Sequence, residues 1–189
     1  LTELDAETAR RLLRYDSEAG KLFWRERTPD LFKDGDRCKK WRARNWNSNF
    51  AEKEAFTADN NCGYKHGRIF FFFYFANRII WLMIYDQFPP KGFEIDHING
   101  DRKDNRIKNL RLVTRSQNNK NRSLQSNNTS GYPGVIWYKS RSKWYVTIKS
   151  NSKDNFLGYF TNKEEAIAAR KKAEKEFGFH ENHGRERTI

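Results

Sequence analysis

Cysteine is nearly absent: Cys38 and Cys62 are the two thiols in 189 residues. Two cysteines form one bridge at most and cannot make a four-cysteine zinc site. No structural zinc is therefore expected, and both residues read as reduced thiols. Histidine occurs only four times and methionine once. No apolar stretch approaches the ~20 residues of a membrane span, so no membrane partner is expected. Residues 1–14 carry charges throughout and show no apolar signal core, which makes a cytoplasmic chain the expectation. Acidic residues are in deficit, 24 against 37 basic ones, for a net charge of +13. That imbalance points to a polyanionic partner.

Aromatic residues are plentiful: 6 Trp, 8 Tyr and 15 Phe make up 15% of the chain. Disordered chains are poor in aromatics, so a folded chain is expected, with a core held by aromatic packing. The positive charge is spread rather than gathered in a tail. It comes to +4 over residues 1–92, +4 over 93–130 and +5 over 131–189. Three positive segments favour a long contact surface over a merely solubilising one.

Apolar spacing predicts a helix over 3–14, from Leu4, Ala9, Leu12 and Leu13, then a turn at 16–20 and a strand at 21–25. Residues 27–62 read as an irregular surface excursion, rich in Asn and punctuated by Gly and Pro. A hairpin is predicted over 63–74 with its turn at Lys65-His66-Gly67. Phe70-Phe71-Phe72-Phe73 does not alternate, so both faces of that strand are expected to be covered, or the run to enter a helix. A helix follows over 77–86. Residues 123–131 form the best linker. Beyond them come β-like runs at 132–138, 143–150 and 155–160. A final helix has Thr161 and Glu164 as its capping box, Ala166, Ala169, Ala173 and Phe177 on one face, and Gly178 at its end.

The chemically informative stretch is Glu94-Ile95-Asp96-His97-Ile98-Asn99-Gly100-Asp101, followed by Asp104-Asn105-Arg106, Asn109-Leu110-Arg111 and Gln117-Asn118-Asn119. It reads as strand, loop, strand and helix. Phosphodiester hydrolysis needs an activated water, a cation on the phosphate and stabilisation of the leaving oxygen. An imidazole titrating near ~6.5 can take a proton from water at neutral pH, which suits His97. Asp96 and Asn118 offer oxygen to a hard divalent cation. Asn109 can orient the His97 ring, and Arg102, Arg106, Arg111 and Arg115, with Lys103 and Lys108, can seat backbone phosphates. Neighbours on a regular strand face opposite ways, so Asp96 and His97 share a site only where the strand ends or twists. A lone Asp-His pair would be no more than a turn that ties a loop. The ordered series is far more specific.

These residues resemble the HNH endonucleases with a ββα-metal motif, common among phage and mobile-intron homing enzymes. The resemblance implies His97 as general base, Asn109 as the residue that positions it, and Asp96 with Asn118 as metal ligands. The third signature residue is Asn118 rather than His, which shifts the ligand set towards oxygen and favours one Mg²⁺ (or Mn²⁺) over zinc. A weaker likeness runs upstream through Leu13-Arg14-Tyr15-Asp16, Gly20-Lys21-Leu22-Phe23-Trp24-Arg25, Trp46-Asn47 and Asn77-Arg78-Ile79-Ile80-Trp81. Asn77 stands where the family usually has His. A phage-borne enzyme of this kind would work in the host cytoplasm.

Residues 131–189 interleave basic and aromatic side chains. On one strand Lys143, Tyr145, Thr147 and Lys149 share a face, and Trp144, Val146 and Ile148 share the other, towards the helix. A sheet presenting basic side chains can enter the major groove of double-stranded DNA. Ser130-Gly131-Tyr132, Gly134-Val135, Trp137, Lys143-Trp144, Leu157-Gly158-Tyr159-Phe160, Glu164-Glu165-Ala166 and Asn182 resemble the plant ethylene-response-factor (APETALA-type) domain. That resemblance implies DNA contacts by Lys139, Arg141, Lys143, Tyr145, Thr147 and Lys149. A purely structural cap on the nuclease is the simpler alternative, although it has no need of a basic face.

The expected architecture is thus α+β. A ββα-metal nuclease core (93–125) carries an N-terminal helix and hairpin elaboration (1–92), together the domain 1–125. A linker and a small three-stranded antiparallel sheet on one helix occupy 126–189. The expected activity is site-specific, metal-dependent cleavage of duplex DNA by a homing enzyme. The rivals are a non-enzymatic DNA-binding protein with a silent nuclease fold and a structured-RNA binder. Composition fixes neither the target sequence nor the oligomeric state.

Overall fold

The computed structural model describes residues 4–33, 35, 37–150 and 153–185. Helices and small antiparallel sheets alternate along the chain, an α+β arrangement. Contacts divide it into two compact units, Leu1–His97 with Asp101–Leu112, and Ile98–Gly100 with Val113–Ile189.

In the first unit, helix α1 spans Ala6–Leu12 and is capped by Asp5, whose carboxylate accepts from the Thr8 amide at 2.6 Å. Ala6, Ala9 and Leu12 form its buried face. The predicted helix ran on to residue 14. Instead Leu13 is already extended and opens β1 (Leu13–Asp16), because its side chain packs inward from a hairpin with β2 (Lys21–Trp24). The predicted start at residue 3 lies outside the described residues. Asp16 caps the turn by accepting from the Glu18 and Ala19 amides. Gly20 has φ +69°, and a Cβ there would lie 2.6 Å from the Arg106 amide nitrogen, so the close approach requires glycine.

Residues 27–62 are more ordered than their composition suggests. They hold a 3₁₀ turn (Pro29–Leu31), a twelve-residue helix α2 (Lys39–Phe50), and the short strands β3 (Glu54–Ala55) and β4 (Ala58–Asp59). Helix α2 buries only Ala43, which explains why no apolar period announces it. It is held by Trp46, edge-on to Trp24 at 5.7 Å, and by Asn47, whose amide pairs with both the N–H and the C=O of Arg27. β3 extends the β1–β2 sheet.

β4, β5 (Lys65–Ile69) and β6 (Phe72–Phe75) form the next sheet. Its hairpin turns at Phe70-Phe71, not at Lys65-His66-Gly67. Gly67 serves close approach instead, since a Cβ there would sit 3.0 Å from the Phe56 ring. The four-Phe run is not covered either. Phe70, Phe71, Phe72 and Phe73 are 49%, 78%, 43% and 49% exposed.

Helix α3 (Ala76–Tyr85) ends at Asp86, which takes a left-handed conformation (φ 60°). It contributes Ile79, Ile80, Trp81, Leu82 and Met83 to a core shared with Leu12, Leu13, Leu22 and Ile69. The fully buried large side chains are Leu, Ile and Val, and aromatic rings join this core as buried Phe56 and Trp81 and as Tyr15, Trp24, Tyr74 and Phe88 packed against it. Many aromatic rings lie at its margin or on the surface.

β7 (Phe93–His97) pairs with β8 (Leu110–Thr114), and α4 (Arg115–Asn119) follows directly. Thr114 and Gln117 make a reciprocal capping box at the start of α4.

In the second unit, β9 (Val135–Tyr138), β10 (Lys143–Ser150) and β11 (Lys153–Phe160) form a meander in the order β11-β10-β9. Helix α5 (Lys163–Glu176) packs on it around Val135, Val146 and Ala166. Its cap is Asn162, not Thr161. The Asn162 amide oxygen accepts from both Glu164 and Glu165, and a short amide side chain is among the best N-caps. The buried face of α5 includes Arg170 and Glu174 besides Ala166 and Ala173. Gly178 follows its end with φ +64°, as expected. Residues 123–131 are tied down: Leu124 donates to the Arg185 carbonyl, and Asn128 and Ser130 bond around Gly131 and Tyr132.

Candidate functional site

Asp96 and His97 are the last two residues of β7. The strand ends there, which resolves the tension between adjacent strand residues: both side chains are buried, at 8% and 3% exposure. His97 Nε2 lies 3.0 Å from Asn105 Oδ1. The Asn105 amide is oriented by its own Nδ2, which donates to the Lys103 carbonyl at 3.3 Å. Its oxygen therefore faces the imidazole and accepts from Nε2–H, which puts the lone pair of the neutral ring on Nδ1. Burial pushes the imidazole below its ordinary value of 6.5, and the Asn105 bond together with Asp96, Asp101 and Asp104 opposes that shift. Near neutral pH the ring is uncharged and able to accept a proton.

The loop after β7 holds this pair. Asp101 and Asp104 accept from backbone amides two residues on, at Lys103 and Arg106. Asn109 closes a 3₁₀ turn (Ile107–Asn109) and donates from Nδ2 to the Asp104 carbonyl at 2.8 Å. Through that bond it fixes the loop carrying Asn105. Tyr15 donates to the Asn105 carbonyl from β1 at 2.9 Å. Asn105 was part of the Asp-Asn-Arg string in the sequence, but its role depends on a loop geometry that the string does not reveal. Tyr64 is a second residue that sequence reasoning passed over. Its ring lies 5.7 Å from that of His97, and burial raises its phenol above the usual value, so it stays protonated.

The basic candidates divide by environment. Arg111 makes a forked contact with Asp96 Oδ2, at 2.9 Å from Nε and 2.8 Å from Nη2. Arg106 instead grips both oxygens of Asp104, Nε donating to Oδ1 at 2.7 Å and Nη2 to Oδ2 at 2.5 Å. Arg111 thus holds a carboxylate at the end of β7 and Arg106 one in the loop after it. Arg102 donates to the Cys62 carbonyl and lies 5.0 Å over the Tyr64 ring. Arg115 is exposed on α4, and Asn118 is half-buried on the same helix, which belongs to the second unit. Asn77 is buried in the first turn of α3, and its Oδ1 has no hydrogen-bond partner among the described residues.

Among the described residues, no group of three or more His, Cys, Asp and Glu side chains gathers to hold a metal. The candidate donors are instead one carboxylate, Asp96, and one amide, Asn118. Oxygen donors of this kind suit a hard divalent cation, and Asp96 Oδ2 is already held by Arg111.

The second unit presents the other candidates on its sheet. Lys139, Arg141, Lys143 and Lys149 are exposed. Tyr145 packs between Phe156 (5.3 Å) and Tyr159 (5.7 Å), and the Arg141 guanidinium lies 4.8 Å over Tyr159. Thr147 Oγ1 donates to the Asn155 carbonyl at 3.1 Å. Behind this sheet lies a buried polar centre that the sequence did not announce. Arg170 pairs with Glu174 at 2.9 Å, and Tyr132 donates to Glu174 at 2.8 Å. Burial first, then Glu174, pushes the Tyr132 phenol well above its usual range.

No helix among the described residues is long and apolar enough to cross a membrane. No solved structure matches the chain. It is 38% identical over 66 residues to "Protein 3.8" of Escherichia phage T7, covering 35% of this chain and 54% of that protein. The chain thus spans about half the length of this curated relative. Residues 74–120, which hold Asp96, His97, Asn105, Asn109 and Asn118, match the family model of the HNH endonucleases.

Proposed function

We propose that this chain is a metal-dependent endonuclease that hydrolyses phosphodiester bonds at a specific site in duplex DNA, as a homing enzyme does. The observation that carries the reading is the buried Asp96-His97 pair at the end of β7, with Asn105 fixing the His97 tautomer, inside the segment that matches the HNH endonucleases.

In this reading His97 accepts a proton from the attacking water at Nδ1, while Asn105 holds Nε2–H. Asn109 is a positioning residue that acts through the Asp104 carbonyl. Asp96 and Asn118 would hold one Mg²⁺ (or Mn²⁺). When bound, that cation polarises the phosphate and stabilises the leaving oxygen. Arg102 and Arg115 seat backbone phosphates. Arg106 and Arg111 mainly order the loop, and reach phosphate only by exchanging a carboxylate for it. The products carry 5′-phosphate and 3′-hydroxyl ends.

The functional division falls at 1–125 for cutting and 126–189 for docking. Lys139, Arg141, Lys143, Tyr145, Thr147 and Lys149 contact the duplex from the β9–β11 sheet. Two tethered contacts raise the effective affinity of both.

The specific observation favouring a silent nuclease fold, a DNA-binding protein without cleavage, is the Arg111 fork on the Asp96 carboxylate. One experiment separates the two readings. Supercoiled plasmid carrying the cognate site is incubated with and without Mg²⁺, with wild type, His97→Ala and Asp96→Ala. The expected result is cleavage by wild type with Mg²⁺ alone, and loss of cleavage with retained gel shift in both variants. A wild type that shifts the plasmid and leaves it intact would sink the enzyme reading. Equal cutting in EDTA would exclude the metal.

A further inference from the structure

The β5–β6 hairpin carries a face that none of these roles uses. Paired residues of antiparallel strands project from the same side. His66 pairs with Phe75 and Arg68 with Phe73, so all four share one face. The rings on it are contiguous. His66 and Phe73 lie 4.7 Å apart, Phe73 and Phe75 5.2 Å, and Phe75 and Tyr64 5.6 Å. Tyr64 is the ring beside His97. A row of aromatic side chains therefore leads from the hairpin to the candidate general base, all within the first unit. Two guanidiniums flank it: Arg68, exposed beside Phe73, and Arg102 over Tyr64.

The hairpin tip is unusual as well. A two-residue turn with positive φ ordinarily takes Gly, Asn or Asp. Here Phe70 holds φ +54°, and Phe71 beside it is the most exposed of the chain's large hydrophobic residues among those described. A turn needed only to reverse the chain has no use for two exposed phenyl rings. Exposed apolar groups gathered in this way mark an interaction surface.

We propose that this face is a stacking track for an unpaired DNA strand, which takes bases on Phe71, Phe73 and Tyr64 and phosphates on Arg68 and Arg102 on its way to His97. The inference rests on the nuclease reading of His97. Aromatic rings interleaved with cations match the alternation of base and phosphate, and stacking tolerates any base because each has a π-face. The net charge of +13 supplies the attraction. Intact duplex hides its base faces, so the occupant is a strand melted locally beside the cut. A protein partner would meet an unbroken apolar patch, whereas this row is broken by two guanidiniums and an imidazole.

The test measures fluorescence anisotropy of a labelled short oligothymidylate with the full chain in EDTA, so that binding is read without cleavage. Phe73→Ala and Phe71→Ala are each expected to weaken binding about fivefold or more, and Phe73→Trp to retain it. Arg68→Ala should lower the salt slope by about 0.7, the single-strand value for one phosphate, while Phe73→Ala leaves the slope alone. Circular dichroism melts confirm that the variants fold. Wild-type affinity in both folded Phe→Ala variants overturns the track and leaves the face to a protein partner. An intact plasmid in the cleavage assay would instead overturn the nuclease reading and leave the oligothymidylate result standing, so the two failures are distinct.

Discussion

Two three-stranded antiparallel sheets of this chain expose aromatic and basic side chains, and they do so differently. On the β9–β11 sheet the rings are knitted together: Tyr145 stacks on Phe156, Tyr159 touches both, and Arg141 covers Tyr159. Phenol hydroxyls and exposed lysines stand there among the exposed Trp137 and Phe156 rings. On the β4–β6 sheet the exposed rings are phenylalanines, joined on one face by the His66 imidazole. A surface rich in hydroxyl and ammonium groups suits phosphates and groove edges, whose recognition is by hydrogen bond and charge. A surface of phenyl rings suits stacking on bases that have left the helix. The same composition, 15% aromatic, thus yields surfaces suited to two recognition chemistries.

The sheets also differ in what lies behind them. Helix α5 backs the C-terminal sheet with the buried Arg170–Glu174 pair, whereas the hairpin sheet is backed by aliphatic side chains such as Ile69. The largest effect expected from any substitution on either sheet follows from this. Arg170→Met leaves the Glu174 carboxylate buried without its cation, a change that costs about 3–5 kcal/mol. Arg68→Met on the exposed hairpin face should stay within about 0.5 kcal/mol. Urea unfolding followed by circular dichroism compares them. Equal midpoints for the two variants would show that the C-terminal sheet is not anchored through this pair.

A smaller effect separates the two surfaces as binding sites. Lys143→Ala with Lys149→Ala removes two cations from the C-terminal sheet and should reduce the salt slope of duplex binding by about 1.8, at 0.9 per phosphate. Phe73→Ala should leave that slope at its wild-type value and weaken only the oligothymidylate. If the double variant kept the full duplex slope, the C-terminal sheet would lose its docking role. If Phe73→Ala weakened duplex and single strand equally, the division of labour between the sheets would fail.

The legible parts of this molecule are those where chemistry and spacing are local. Asp96 and His97 could be placed because the two side chains are neighbours at a strand end marked by Asn99-Gly100. The alternation of Lys143 to Ser150 predicted strand β10 with its bounds and its inner face, Val146 and Ile148. What stayed hidden depends on partners distant in sequence. Asn105 meets His97 only because Asn109 and Tyr15 shape the loop between them. Gly67 looked like a turn and is a landing for the Phe56 ring. Helix α2 buries only Ala43, and its Trp41, Trp46 and Phe50 rings fall at no helical period of aliphatic residues, so periodicity had nothing to register. Arg170 and Glu174, four residues apart, have the spacing of an ordinary solvated pair, and only the fold shows them buried.

The smallest expected effect concerns pH, and it probes the same polar centre. His183 packs against the Phe179 ring at 4.8 Å and lies 3.8 Å from Glu174 Oε1, with Arg170 and Arg185 also near. Burial lowers its imidazole below 6.5, the two arginines add to that shift, and Glu174 opposes it. A histidine whose folded value is depressed contributes stability that is full above the unfolded value and is lost as pH falls through the folded one, because the unfolded chain binds the proton more readily. The second unit should therefore melt at lower temperature near pH ~5.5 than near pH ~7.5, and His183→Gln should narrow that difference. Phe73 lies outside this cluster, so Phe73→Ala should keep the wild-type pH difference. A His183→Gln protein with an undiminished difference would take the acid sensitivity away from His183, and would leave the contrast between the two sheets to rest on the Arg170 ion pair.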